Sequence, residues 1–181
     1  MTLAERLVLL HRTFADAGIP HAFGGAIALA YWTLEPRGTR DLDVNVFLPA
    51  EAAAGVLTAL PSGVDVPASA PAAIRRDGQV RVWWDDTPVD LFFDYALIHG
   101  DAARNARDVP FEGTTIPVLG PVELAVFKAM FDRTRDWADI EAMLAAASTS
   151  HDEIAAALRP MVGDEDPRWA RLRAAADGER T

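Results

Sequence analysis

The stretch "RGTRDLDVNV", residues 37–46, decides how the chain is read. Through residues 40 to 48 apolar and polar positions alternate. Leu42, Val44 and Val46 fall on one face, and Asp41, Asp43 and Asn45 on the other. That is the two-residue period of a strand with one face in a core. Its two aspartates stand ~7 Å apart along the backbone. Facing bare solvent they would only repel one another. A divalent cation between them gives the arrangement a purpose, because Mg²⁺ prefers hard oxygen ligands and often takes a few carboxylates plus substrate phosphates. A third carboxylate is then expected from a neighbouring strand. Asp90 in "VDLFF" is the first candidate, and Asp94 on the same face the second.

Working outward, residues 3 to 17 predict an amphipathic helix that ends before Gly18 and Pro20. Residues 21–23 read as a short strand and 26–32 as a short helix, followed by a turn at Glu35-Pro36-Arg37-Gly38. Residues 49 to 60 read as a helix, and 61 to 79 as a loop with room for one strand. Residues 80–84 and 89–95 are strands joined by Asp85-Asp86-Thr87-Pro88, a hairpin signal. The pattern is weak over 100–113, and 114–119 suits one more strand. From Pro121 the expectation is one long helix over 121–146, then a helix at 151–159 opened by a Ser150/Glu153 capping box. A last helix follows Asp166-Pro167. Strands with interspersed helices and then helices alone predict an α+β core over 1–120 and a C-terminal helical region over 121–181.

The composition bounds the chemistry. The 181 residues contain no cysteine, which excludes disulfides and thiolate metal sites and makes a reducing cytoplasm the default. No apolar run is long enough to span a bilayer, and "MTLAERLVLLHRTF" reads as an amphipathic helix, not a signal peptide. A formal net charge of −10 argues against wholesale coating of a nucleic-acid backbone but leaves room for a local basic groove. Of the 17 Lys and Arg residues, Lys128 alone is lysine, as expected where a compact ammonium is wanted or where codon usage is biased.

Gly24-Gly25 sits between a strand and a helix, where bare backbone and helix N–H groups can approach a phosphate. A tight turn would use the same residues. On a continuous helix Lys128, Asp132, Arg135 and Asp139 would share one narrow stripe, with Met130, Trp137, Ile140 and Leu144 roughly opposite. Such a stripe is either a solvated face stitched by ion pairs or a surface for a nucleotide. The histidines at 11, 21, 99 and 151 show no ligand spacing, and a structural role is expected for His21.

Taken together, "FGGAIALAYW…RGTRDLDVNVF…VDLFF" resembles the nucleotidyltransferase superfamily, whose signature is Gly-Gly or Gly-Ser, a helix, h-Asp-h-Asp-h and a later h-Asp-h. "ELAVFKAMFDRTRDWADIEAML" (123–144) looks like the Lys…Arg…Asp…Asp helix of its AbiEii-like branch, which includes MenT-type bacterial toxins that transfer nucleotides to tRNA. The resemblance covers residues 21 to 144. It implies a mixed β-sheet core with flanking helices and a Mg²⁺-dependent transfer of a nucleotide from a nucleoside triphosphate, with a pyrimidine donor and the 3′ end of tRNA as acceptor. Asp41, Asp43 and Asp90 would be the metal carboxylates, and Asp90 would help deprotonate the attacking hydroxyl. Gly24 and Gly25 would cradle the triphosphate, and Lys128 would neutralise the leaving pyrophosphate. Arg37, Arg40, Arg135 and Asp139 would complete the nucleotide site, with Asp136 or Asp139 orienting Lys128 or Arg135. Arg159, Arg168, Arg171 and Arg173 would offer an RNA-facing patch. A cognate antitoxin is implied as partner. In MenT-like toxins a Ser or Thr at the place of Thr39 can be phosphorylated by such a partner, which would set roughly −2 of charge beside the carboxylates. The competing expectations are nucleotidylation of a small molecule, such as an aminoglycoside or lincosamide, and a catalytically silent binding module of the same fold.

Overall fold

The computed structural model describes residues 1–178. In chain order the elements begin α1 (Leu3–Asp16), β1 (His21–Phe23), α2 (Gly25–Thr33) and β2 (Leu42–Pro49). A 3₁₀ turn (Ala50–Ala52) leads into α3 (Ala53–Thr58), then β3 (Val64–Asp65), α4 (Ala70–Asp77), β4 (Gln79–Trp84) and β5 (Thr87–Asp94). After α5 (Ile98–Asn105), β6 (Arg107–Phe111) and β7 (Thr114–Val118), the chain is helical through α6 (Pro121–Phe131), α7 (Thr134–Ala145), α8 (His151–Leu158) and α9 (Arg168–Gly178).

These elements form two compact units. The first comprises Met1–Gly25 and Gly38–Leu119 and holds a seven-stranded mixed sheet in the order β3-β4-β5-β2-β1-β7-β6. At its centre β2 runs parallel to β5. The apolar row Leu42, Val44 and Val46 is fully buried, and so are Leu91 and Phe93 of β5. Alternation then turns the remaining side chains of both strands to the opposite face. The helix α1 starts at a capping box, with the Glu5 N–H donating to Thr2 Oγ1 and the Thr2 N–H to Glu5 Oε2. It buries Leu7, Leu10 and Phe14 along one stripe. Its Arg6 reaches the β4–β5 turn, where it pairs with Asp85 at 2.8 Å and Asp86 at 3.0 Å and donates to the Thr87 hydroxyl. The second unit comprises Ala26–Arg37 and the helices from Gly120 onward, with α6 packed on α7 and α8, and α7 on α9.

Three helical segments depart from the sequence expectations. Residues 70–77 form α4 where a loop was expected: Pro71 fits the first turn, the alanines tolerate a helix, and Gly78 at φ 68° closes it in the left-handed conformation. Residues 98–105 form α5, seated by buried Ile98, His99 and Ala102. The long helix expected over 121–146 is two helices. Asp132 adopts φ 59°, a conformation that aspartate tolerates better than most residues, and its carboxylate is anchored by Trp137 Nε1 at 2.8 Å and Arg171 Nη1 at 2.7 Å. The Arg133 N–H then donates to Asp136, which caps the start of α7.

Within the first unit, His21 Nδ1 lies 2.8 Å from the Ile19 carbonyl, and its Nε2 lies 3.0 Å from His11 Nδ1. The carbonyl can only accept, so the neutral tautomer of His21 keeps its proton on Nδ1 and offers Nε2 as acceptor. Burial holds both imidazoles below their ordinary value, and for His21 the neighbouring His11 adds to the effect. A histidine with a depressed folded pKa binds its proton more readily unfolded, so its contribution to stability is complete above ~6.5 and is lost as pH falls. Urea-unfolding midpoints are expected to drop between pH 7 and pH 5. In a His21→Asn variant that slope should be shallower, with His11 and His99, which burial also depresses, supplying the rest.

Candidate active site

The parallel pairing of β2 and β5 sets Asp43 opposite Asp90, and the antiparallel pairing of β4 and β5 sets Asp90 opposite Arg81. These side chains share the face that the apolar rows leave open. Arg81 holds Asp90 with both prongs of its guanidinium, Nε to Oδ1 and Nη2 to Oδ2, each at 2.7 Å. Its pKa is raised, first by that hydrogen bond and then by the charges of Asp90, Asp41 and Asp43.

Asp41 lies just ahead of β2, outside the strand expected to include it. The residues before it are irregular: the Asp41 N–H donates to Thr39 Oγ1 at 3.3 Å, and that hydroxyl lies 3.4 Å from the Asp41 carbonyl. Thr39 is thus bound to the backbone of Asp41 and is partly buried, while Arg40 beside it is exposed.

The two glycines are explained by Asp43. The Gly24 N–H donates to the Asp43 carbonyl at 2.8 Å. A Cβ on Gly24 would come within 3.0 Å of Asn45 Nδ2 and 3.1 Å of Leu119 Cδ1. A Cβ on Gly25 would fall 1.7 Å from Asp43 Oδ2, and Gly25 also has φ 52°. Only glycine satisfies both the space and the backbone angle there. The Asp43 carboxylate consequently rests directly against the start of α2.

In the second unit, buried Lys128 on α6 donates to Asp139 Oδ2 on α7 at 2.6 Å. Arg37 grips the same carboxylate through Nη1 at 2.5 Å and Nη2 at 2.9 Å. The bend at Asp132 breaks the expected stripe. Asp132 is committed to Trp137 and Arg171, and Arg135 is exposed on α7. Asp136 binds Arg133, so of the two acids weighed as partners for Lys128 it is Asp139 that meets it. Of the arginines considered as an RNA patch, Arg171 is tied to Asp132 and stacked over Trp137, Arg168 pairs with Asp166 at 2.9 Å, and Arg159 lies over Trp169. Arg173 is exposed.

The carboxylate set is hard-oxygen and already gathers a cation, which suits Mg²⁺. It is not a closed cage: among the described residues no three His, Cys, Asp or Glu side chains converge on one point. Mg²⁺ commonly takes only one or two protein carboxylates and completes its shell with water and phosphate, so an open set is compatible with it. Arg81 was absent from the sequence-derived site, although counting three pairs outward from Trp84 and Thr87 leads to it. Among the described residues no helix is long and apolar enough to cross a membrane.

No protein-family model and no curated protein matches the chain. Its fold is similar to that of the antibiotic-resistance factor ANT(2″)-Ia in solution, with TM-score 0.57, 10% identity and 97% of each chain covered. The crystal structure of ANT(2″)-Ia in complex with adenylyl-2″-tobramycin gives TM-score 0.55 at 10% identity, covering 99% of this chain and 98% of the other. An antigenic nucleotidyltransferase-like protein from Paracoccidioides brasiliensis gives 0.50 at 14% identity, covering 97% of this chain and 86% of that one. The chain thus has a nucleotidyltransferase-like α+β fold.

Two predictions test the local geometry. Gly25→Ala should destabilise by more than the ~1 kcal/mol expected from backbone angle alone, because the new methyl group meets Asp43. Denaturant unfolding of the Gly25→Ala, Asp43→Ala double variant should recover part of that loss. In the second unit Asp139→Ala leaves two cations without their shared carboxylate, one of them buried, and should cost on the order of 3 kcal/mol. Lys128→Met leaves Asp139 still paired with Arg37 and should cost clearly less in the same measurement.

Proposed function

We propose that the chain is a Mg²⁺-dependent nucleotidyltransferase, moving a nucleoside monophosphate from a nucleoside triphosphate to a hydroxyl acceptor. The observation that carries the proposal is the register of Asp43 beside Asp90 on an open sheet face, with Gly25 cleared for the Asp43 carboxylate. In the reaction the acceptor oxygen bonds to the α-phosphorus, the bond from that phosphorus to the bridging oxygen breaks, and pyrophosphate leaves. Asp41, Asp43 and Asp90 would hold Mg²⁺, which when bound supplies positive charge to the phosphates and to the attacking and leaving oxygens. Asp90 is the carboxylate assigned to help remove the proton of the attacking hydroxyl. The backbone at Gly24 and Gly25 is assigned to the triphosphate. Lys128 supplies an ammonium for the departing pyrophosphate, fixed by Asp139. Arg37, Arg40 and Arg135 belong to the same proposal as phosphate-binding cations.

For the acceptor, the reading adopted is the 3′ end of tRNA, with the protein acting as the toxin of a toxin–antitoxin pair that blocks translation. It rests on the likeness of residues 123–144 to the Lys…Arg…Asp…Asp helix of the AbiEii-like branch. Phosphorylation of Thr39 by the partner would add charge at the Asp41 turn and disfavour the nucleotide. A second reading, a small cationic acceptor such as an aminoglycoside, is favoured by the net charge of −10.

The deciding assay incubates the protein with Mg²⁺ and each α-labelled nucleoside triphosphate, with either total tRNA or a panel of aminoglycosides. Label on tRNA with one pyrimidine donor, reduced to background in Asp43→Ala, is the expected result. Label on the drugs alone would establish the second reading. No transfer to either, with no Mg²⁺-dependent binding of triphosphate, would reject the enzyme.

A further inference from the structure

The guanidinium of Arg81 occupies an unusual position for a surface cation. Its strand, β4, buries Val80, Val82 and Trp84 on one face and turns Gln79, Arg81 and Trp83 outward. The fold therefore does not depend on Arg81 for packing. An ordinary cross-strand ion pair with a half-exposed arginine contributes only ~0.2 to 1 kcal/mol. Here, however, both oxygens of Asp90 are taken, and Asp90 lies in register with Asp43. A cation that takes Asp90 as ligand must break at least one of those two hydrogen bonds. It must also approach a fixed positive charge that already interacts with Asp41 and Asp43.

We propose that Arg81 is a displaceable internal counter-ion: it holds Asp90 while the carboxylate face carries no divalent cation, and loading of that cation requires the guanidinium to release it. This rests on the reading of Asp41, Asp43 and Asp90 as metal carboxylates. Arg81 is a positioning residue in this account. It keeps Asp90 aimed along the sheet face and lowers the affinity of the empty face for a bare cation. A nucleoside triphosphate brings further oxygen ligands for the cation, and anionic oxygens that a released guanidinium can meet. Cation loading thereby becomes coupled to the arrival of the donor. Lysine could not replace it fully, because an ammonium cannot engage both carboxylate oxygens in the same planar fork.

The test measures Mn²⁺ binding to the nucleotide-free protein by the electron paramagnetic resonance signal of unbound Mn²⁺, with circular dichroism confirming that each variant is folded. Arg81→Gln should bind Mn²⁺ about tenfold more tightly than the unmodified protein, since one opposing charge and both competing hydrogen bonds are removed. Arg81→Lys should fall between them, and Asp43→Asn should bind more weakly. A merely structural Arg81 would predict the opposite sign, because loosening Asp90 would weaken the site. If Arg81→Gln binds Mn²⁺ no better than the unmodified protein while Asp43→Asn still weakens it, the counter-ion role is overturned and the metal carboxylates stand. If neither substitution changes Mn²⁺ binding, both fall together.

Discussion

The parallel pairing of β2 with β5 is the constraint on which the rest of the first unit depends. Two strands that run parallel and adjacent cannot be joined by a tight turn, so the chain between them must leave the sheet and return. It leaves through α3, enters the sheet at the edge strand β3, leaves again through α4, and returns as β4, the antiparallel neighbour of β5. The register of the pair is held by opposite demands on its two faces. Leu42, Val44, Leu91 and Phe93 need burial, and Asp43 and Asp90 must avoid it. A slip of one residue would drive an aspartate into the core and an aliphatic side chain out of it, losing on both counts. The same alternation that builds the core thus sets the carboxylates side by side.

Asp43 ties this sheet face to the Gly24-Gly25 pair. Its carbonyl accepts from Gly24, and its carboxylate fills the space a Gly25 side chain would need. The glycine pair therefore has an explanation inside the fold that does not require a ligand. It also leaves bare backbone at the start of a helix beside a carboxylate, and this is what a phosphate carrying its own cation would require.

Legibility in the sequence followed the range of the forces involved. The alternation of 42–46 and the Ser150–Glu153 cap depend on near neighbours, and both are present as expected. The β4–β5 hairpin was legible as a hairpin but not in register. Taking Asp85-Asp86-Thr87-Pro88 as a four-residue connection moves Arg81 away from Asp90, whereas the observed pairing of Trp83 with Pro88 leaves only Asp85 and Asp86 in the turn. A proline inside a strand was the misleading signal. The break at Asp132 was illegible for a different reason. It is stabilised by Trp137 and by Arg171, 39 residues away, and no local pattern announces the latter contact. Helix α4 shows only one large buried apolar residue, Ile74, too little for a periodicity argument.

Two ion-pair groups stand out, one in each unit. On the sheet face of the first unit Arg81 binds both oxygens of Asp90, which lies in register with Asp43. In the second unit Lys128 and Arg37 share one carboxylate, leaving an excess of positive charge that suits an anion. In a chain as acidic as this one, a cationic excess around a buried lysine is not what the average surface supplies. Each group is partly neutralised from within, Asp90 by Arg81 and Lys128 by Asp139. Partial neutralisation lowers the cost of folding such a charged group, because no buried or half-buried charge is left without a partner.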